Sequence, residues 1–260
     1  MHAVPTLAET VASFDGRSSD YDDSRMHQFF AQQAAEAAAP EPGQTLLDLA
    51  GGTGLTARAA LPALRHGMAL VADASPGMLR AARHADPRLL VLQVDAHHLP
   101  LRDHAVDLLT CVTALHLFAE PLRALRQAVR VTKPHGRVVF TTWSANGWSH
   151  GRRLRAAATA ERLTCTDPHA ASGTPEAAAR LAEAAGLMDV QVRECRHREP
   201  LPTSAGIWEH VLGTPQAEPV RAAPAAAQQR VRERFEADLT DVEHVLLLVS
   251  GVPQTSMPSR

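Results

Sequence analysis

A chain of 260 residues can bury one large core with at most a small appended cap, and its 45% apolar and 21% charged residues put it among globular rather than disordered proteins. Lys and Arg (26) nearly balance Asp and Glu (28), so a net charge of −2 excludes recruitment of nucleic acid or an anionic membrane by a general electrostatic field. Cys111, Cys165 and Cys195 match neither a disulfide framework nor a metal-ligand pattern and are expected as reduced thiols. With no basic start leading into an apolar run and no segment of membrane-spanning length, a cytoplasmic location is expected.

Along the chain, Ser24 is a helix start for a segment carrying Met26, Phe29 and Phe30 on one face and stopped at Pro40. Strand and helix signals then alternate. TLLDL-type apolar runs (QTLLDLA, MALVAD, LLVLQVD) are separated by GLTARAAL and SPGMLRAARHA, which argues for a parallel sheet covered by helices. Pro62 is expected to end or kink the first of those helices. Ser75 followed by Pro76 makes a good start for the second. VDLLTCVTAL reads as a further buried strand, and EPLRALRQAVRVT as a helix with Leu122, Leu125 and Val129 at helical spacing. KPHG is then a turn and RVVFTTW a strand. The polar stretch after Trp143 is expected as loop and helix, Thr174–Pro175 as the start of a helix ending at Gly186, and MDVQVREC as a strand. Helices around Trp208 and through AAAQQRVRERFEADL, the apolar run VEHVLLLVSG and a disordered tail complete the reading.

The stretch LLDLAGGTGLTA, Leu46–Ala57, poses the question of which cofactor its turn serves. Gly52, Thr53, Gly54 and Ala57 formally satisfy G-x-G-x-x-G/A, so a nicotinamide or flavin reading is open, although that match alone is weak. Asp48, just before the turn, suits a cation better than a pyrophosphate. Asp73 ends the second strand, where a carboxylate can hold ribose hydroxyls, and Asp95 ends the third, where one can accept from an exocyclic amine. Three acids at successive strand ends match a ligand with an ammonium, a ribose and an adenine.

On these residues the chain resembles the class I S-adenosylmethionine-dependent methyltransferases. DLAGGTG is similar to the first motif of the ubiquinone and menaquinone C-methyltransferase group, and VADASPGML to the second motif. VDAHHLPLRDHAVDLLTCV resembles the segment spanning the third and fourth strands, and KPHGRVVF the entry to the fifth. Ala50, where many relatives have glycine, and His135, where glycine is commoner, depart from the pattern. The resemblance implies an α/β, Rossmann-like seven-stranded sheet of order 3-2-1-4-5-7-6 with strand 7 antiparallel. It also implies an N-terminal helical cap (1–43), a methyltransferase domain (44–250) with lid insertions at about 144–173 and 200–240, and a tail (251–260).

By the same resemblance, S-adenosylmethionine is the cofactor and S-adenosylhomocysteine the product. Asp48 would orient the methionine ammonium; Ala50, Gly51, Gly52 and Gly54 would form the turn along which the backbone approaches the cofactor; and Asp73 would grip the ribose. Ala74 and Met78 would pack near the adenine, Asp95 and Ala96 would face its amine edge, and Thr113 and Ala114 would flank the methionine moiety. Tyr21 and Arg25 lie where relatives fold a helix over the cofactor. A sulfonium leaving group is already activated, so no metal is expected; positioning carries the reaction, with His116 as the candidate base. Trp143, Trp148 and His150 are candidates for the acceptor site, while Arg152, Arg153 and Arg155 read as a solvated helix face. The expected partner is a small organic acceptor methylated on O, N or C, as in secondary metabolism, with no nucleic acid or membrane partner and a monomeric or homodimeric protein. The alternative keeps the cofactor but catalyses a cyclisation or rearrangement without methyl transfer.

Overall fold

The computed structural model describes residues 6–200, 207–237 and 241–254. The chain opens with helix α1 (Leu7–Asp15), which the sequence reading missed. Its start is a capping box in which Thr6 Oγ1 accepts from the Glu9 N–H while the Glu9 carboxylate accepts from the Thr6 N–H at 2.8 Å. Helix α2 (Arg25–Ala38) begins at the Ser24 cap as expected, but its buried stripe is Phe30, Ala31, Ala34, Ala35 and Ala38; Met26 and Phe29 are only half-buried. Small residues on that face let α2 lie close against its neighbours.

The alternating part follows as β1 (Thr45–Leu49), α3 (Leu55–Leu64), β2 (Met68–Asp73), α4 (Pro76–Ala85), β3 (Leu90–Gln93), β4 (Val106–Cys111), α5 (Pro121–Val131) and β5 (Thr132–Trp143). Pro62 does not end α3. It sits in the last turn, and the helix continues to Leu64 because Leu61 and Leu64 are both buried against the sheet. The expected KPHG turn is likewise absorbed. Val106 pairs with Thr132 and Leu108 with Arg137, so the extra residues of β5 bulge out between two β4 positions. At Gly136 a Cβ would stand 2.3 Å from the Asp107 carbonyl oxygen, which is why the bulge tolerates no side chain there.

The remaining elements are α6 (Ser149–Ala160), α7 (Pro175–Ala185), β6 (Leu187–Pro200), α8 (Ile207–Leu212), α9 (Glu218–Arg221), α10 (Ala225–Glu236) and β7 (Asp241–Pro253). The sheet has seven strands in the order β3-β2-β1-β4-β5-β7-β6, with β7 antiparallel. Leu187 of β6 lies against Gly251 and Arg196 against Glu243, so the two chains of β6 and β7 run in opposite senses. Because β7 extends to Pro253, residues 251–253 are strand rather than tail; residues 255–260, like 201–206 and 238–240 of the second expected insertion, lie outside the described residues.

Two compact units emerge. The first holds the N-terminal helices, the segments through Thr142, Pro175–Cys195 and the chain from Leu247, so the N-terminal helices are not a unit of their own. Its central strands are buried on both faces. Leu46, Val71 and Leu108 meet α2, α3 and α4, while Leu47, Ala72 and Leu109 meet α5 and α7. The second unit comprises 143–174 and 196–246, with its own core of Leu154, Trp208, Val211, Val220, Val231 and Phe235.

Candidate active site

The sheet order reverses at β1, which pairs with β2 on one side and β4 on the other. In an open α/β sheet that is where strand ends leave a crevice, and a cavity of the first unit lies there. Its floor comes from the turn after β1, the ends of β2, β3 and β4, and the first turns of α3 and α4.

Asp48 is 1% exposed, yet it lines this cavity. Its carboxylate accepts from Thr110 Oγ1 at 2.8 Å and from the Ala57 N–H at 3.2 Å, tying β1 to β4 and to the first turn of α3. Burial pushes its pKa up to about 7, against the pull of those two donors. A Cβ at position 51 would come within 2.7 Å of that carboxylate, so glycine there lets the turn close over a buried acid. Asp73 accepts from the Gly52 N–H at 2.9 Å and the Ser75 N–H at 2.8 Å; burial raises its pKa too, and these backbone donors oppose the rise. Both carboxylates keep lone pairs for further donors. Asp95 accepts from the His97 N–H (2.9 Å) and pairs with His97 Nδ1 (2.6 Å). Burial works to raise the Asp95 pKa, but His97 and His98 together bring it below the usual carboxylate value.

Ala50, Gly51, Gly52, Ala74, Met78, Ala96, Thr113 and Ala114 also line the cavity. Ala50 and Thr113 both have left-handed backbone, φ 51° and 52°, at the ends of β1 and β4. Strain of this kind beside a cavity is where chains hold binding groups in place.

The roof is contributed by the N-terminal segment: Leu7, Thr10, Val11 and Phe14 of α1, then Tyr21, His27 and Ala31. Two carboxylates fasten it to the floor. Asp15 accepts from Ser75 Oγ and from the Gly77 N–H (2.7 Å) at the start of α4, and Asp22 accepts from Thr53 Oγ1 and pairs with Arg58 of α3. Tyr21 lies beside the Thr113 side chain. Of the roof-lining residues only Tyr21 was singled out by sequence; the T-x-x-E signature at Thr6–Glu9 was the available sign of α1.

Of the other expected residues, Arg25, Gly54 and His116 of the first unit do not line the cavity. Arg25 is exposed on the first turn of α2. Gly54 (φ 78°) faces the interior, where a Cβ would meet Leu89 at 2.8 Å and Val71 at 3.2 Å, so it serves helix-to-sheet packing rather than backbone approach to a ligand. His116 lies in a 3-10 turn, Leu115–Leu117, and is exposed. With three residues per turn, Ala114 and Leu117 face the cavity and His116 points away. Trp143, Trp148 and His150 fold with the second unit. There the His150 and His244 rings are 5.2 Å apart and Trp143 is 5.9 Å from His244. Among the described residues no cluster of three His, Cys, Asp or Glu side chains could hold a metal ion, and no helix is long and apolar enough to cross a membrane.

A switch-point cavity floored by a glycine turn and three strand-end carboxylates, in a sheet of this order, defines a Rossmann-like nucleoside-binding enzyme of the methyltransferase kind. Residues 47–140 match the family model described as a methyltransferase domain (Methyltransf_11). A demethylmenaquinone methyltransferase of Streptomyces avermitilis is 30% identical over 215 residues, spanning 82% of this chain and 90% of that one. A ubiquinone/menaquinone biosynthesis C-methyltransferase UbiE of a Ruegeria species is 32% identical over 147 residues, 54% of this chain and 59% of the other. The crystal structure of the YcgJ protein from Bacillus subtilis superposes with a TM-score of 0.61 at 19% identity, covering 88% of this chain and all of that one. The chain belongs to the class I S-adenosylmethionine-dependent methyltransferases, close to the UbiE type, and S-adenosylmethionine is its cofactor.

Proposed function

We propose that this enzyme moves the methyl group of S-adenosylmethionine to a small organic acceptor lodged between the floor carboxylates and the apolar roof. The observation that carries the reading is the division of the cavity. Its acids lie on the floor, at Asp48, Asp73 and Asp95, while α1 and the turn after β4 supply Leu7, Val11, Phe14 and Phe118. The glycine turn fits the cofactor as well: a Cβ on Gly52 would meet only Met78 Sδ, at an ordinary contact distance of 3.7 Å, so the space beside this turn is open to a ligand.

Asp73 would hold the ribose hydroxyls, Asp95 and Ala96 the adenine amine edge, and Asp48 the ammonium. When bound, the cofactor supplies an activated methyl group on a positively charged sulfur. The chain's own part is to align the acceptor, exclude water and hold the geometry, for which proximity alone contributes on the order of 7 kcal/mol or more. The acceptor would supply the electron pair of the new bond to the methyl carbon, the pair of the broken methyl–sulfur bond would stay with the sulfur, and the acceptor's proton would pass to solvent.

The test is incubation with methyl-labelled S-adenosylmethionine and a panel of small phenols, amines and carbon acids. Label transferred to an acceptor, with one S-adenosylhomocysteine formed per product, supports methylation. Product formed without S-adenosylhomocysteine would mean a cyclisation or rearrangement, and a thermal shift with NAD but not with S-adenosylhomocysteine would sink both readings. An enzyme of secondary metabolism would favour acceptors beyond the quinone intermediates for which its relatives are named.

A further inference from the structure

His97, the first histidine of VDAHHLP, lines the cavity beside Asp95 and is engaged at both ring nitrogens. Nδ1 stands 2.6 Å from Asp95 Oδ1, and Nε2 accepts at 3.3 Å from the Glu120 N–H, at the N-cap of α5. A backbone N–H can only donate. Nε2 therefore carries the lone pair and the ring proton sits on Nδ1, shared with the carboxylate. Phe118 packs edge-on against the imidazole, 5.7 Å between centroids, and the His97 side chain is mostly buried.

These contacts make the two oxygens of Asp95 unequal. Oδ1 takes two bonds from His97, one from the ring and one from the backbone N–H at 2.9 Å. Oδ2 stands 3.7 Å from His98 Nδ1, too far for a hydrogen bond, and among the described residues no donor reaches it. Its lone pairs remain for a ligand. Any residue at position 97 would give the backbone bond. The imidazole alone adds the second one and, through Nε2, ties the carboxylate to the first residues of α5.

We propose that His97 is a positioning residue for the cofactor: it locks the Asp95 carboxylate with Oδ2 toward the adenine and so sets the choice of a 6-amino over a 6-oxo purine. This rests on the reading of Asp95 as the partner of the adenine amine. A 6-oxo purine offers an acceptor where adenine offers a donor, and carries its proton on the neighbouring N1. A carboxylate free to turn can follow that N1–H. A locked one is left facing the carbonyl oxygen, two acceptors together, and rejects the ligand.

The experiment titrates S-adenosylhomocysteine and S-inosylhomocysteine by calorimetry into the wild type, His97→Phe, His97→Ala and His97→Asn. Wild type is expected to prefer the adenosyl ligand by about a hundredfold. His97→Phe, which keeps a ring against Phe118 but has no nitrogen, should lower that preference to about tenfold or less. His97→Ala should do the same without bulk, so the result does not depend on the phenylalanine variant folding. His97→Asn, whose amide nitrogen overlays Nδ1, should stay within about threefold of wild type. The ratio of the two affinities cancels every contact the ligands share, so a histidine that only supports the loop would weaken both alike and leave the ratio unchanged. That outcome in His97→Phe and His97→Ala would overturn the assignment while leaving Asp95 its role. An asparagine variant no better than alanine would also overturn it. Equal affinities in wild type, or binding of neither ligand, would remove the Asp95 reading and this one with it.

Discussion

The floor and the roof of the cavity are both fastened by aspartates, but Asp48 and Asp73 of the floor and Asp15 of the roof are in opposite physical states. On the floor, Asp48 and Asp73 sit at the ends of paired strands, and burial raises their pKa values despite the donors that hold them. On the roof, Asp15 is lowered by its bonds to Ser75 and Gly77, and Asp22 binds Thr53 and Arg58. The floor is built into the sheet and holds buried negative charge that a cation would relieve. The roof is held by a few partly exposed polar bonds that can break singly, which is the low-stability kind of element that opens to admit ligands.

The largest effect should come from removing a floor acid proposed to meet the ligand. Asp73→Ala deletes a carboxylate accepting from Gly52 and Ser75 and the proposed partner of the ribose. Affinity for S-adenosylhomocysteine, measured by calorimetry, should fall by about a hundredfold, roughly 3 kcal/mol. A loss under threefold would mean the floor is scaffold only.

Asp48 sharpens the contrast through pH. A carboxyl whose folded pKa lies above its unfolded value adds stability that is fully present below the unfolded pKa and lost as pH rises through the folded one. In the ligand-free protein the Asp48 contribution should therefore decline between about pH 4 and the folded value near 7, with a slope approaching ~1.4 kcal/mol per pH unit. Denaturant titrations of wild type and Asp48→Asn across that range should differ by this slope. Equal slopes would show that Asp48 stays ionised without penalty.

A weaker effect belongs to the roof. Asp22→Ala frees Thr53 and Arg58, but the Asp22–Arg58 pair is partly exposed, and such pairs contribute little. The dissociation rate of S-adenosylhomocysteine in stopped flow should rise about three- to fivefold, with the melting temperature little changed. An unchanged rate would mean that ligand escapes without parting roof from floor.

The same contrast explains what could be read from the sequence. The floor is specified by short-range backbone needs, namely an apolar strand, an acid at its end and a turn with no room for Cβ at Gly51, so those positions announce themselves. The roof depends on which face of a helix meets a distant strand end. The alanine-rich face of α2 and the cavity-facing His27 carry no local signature, and only the Thr6–Glu9 capping box marked α1. His116 misled because its place after β4 was readable whereas the three-residue period of its turn was not. Pro62 and KPHG misled in the other direction: local breakers were outweighed by the burial of Leu61 and Leu64 and by strand pairing that absorbs a bulge.

The smallest expected change tests whether the floor stores strain. Ala50 adopts φ 51° where the turn leaves β1, a conformation that costs an L-residue about 1–2 kcal/mol and glycine almost nothing. Glycine also has more freedom to lose on folding, about 0.5–1 kcal/mol, which offsets much of the relief. Ala50→Gly should therefore gain roughly 0.5 kcal/mol, seen as a rise of about 1–2 °C in melting temperature, with affinity for S-adenosylhomocysteine unchanged. A fall in stability would mean that the Ala50 methyl, which lines the cavity, contributes more by packing than its backbone costs, and the floor would then be relaxed rather than strained at this residue.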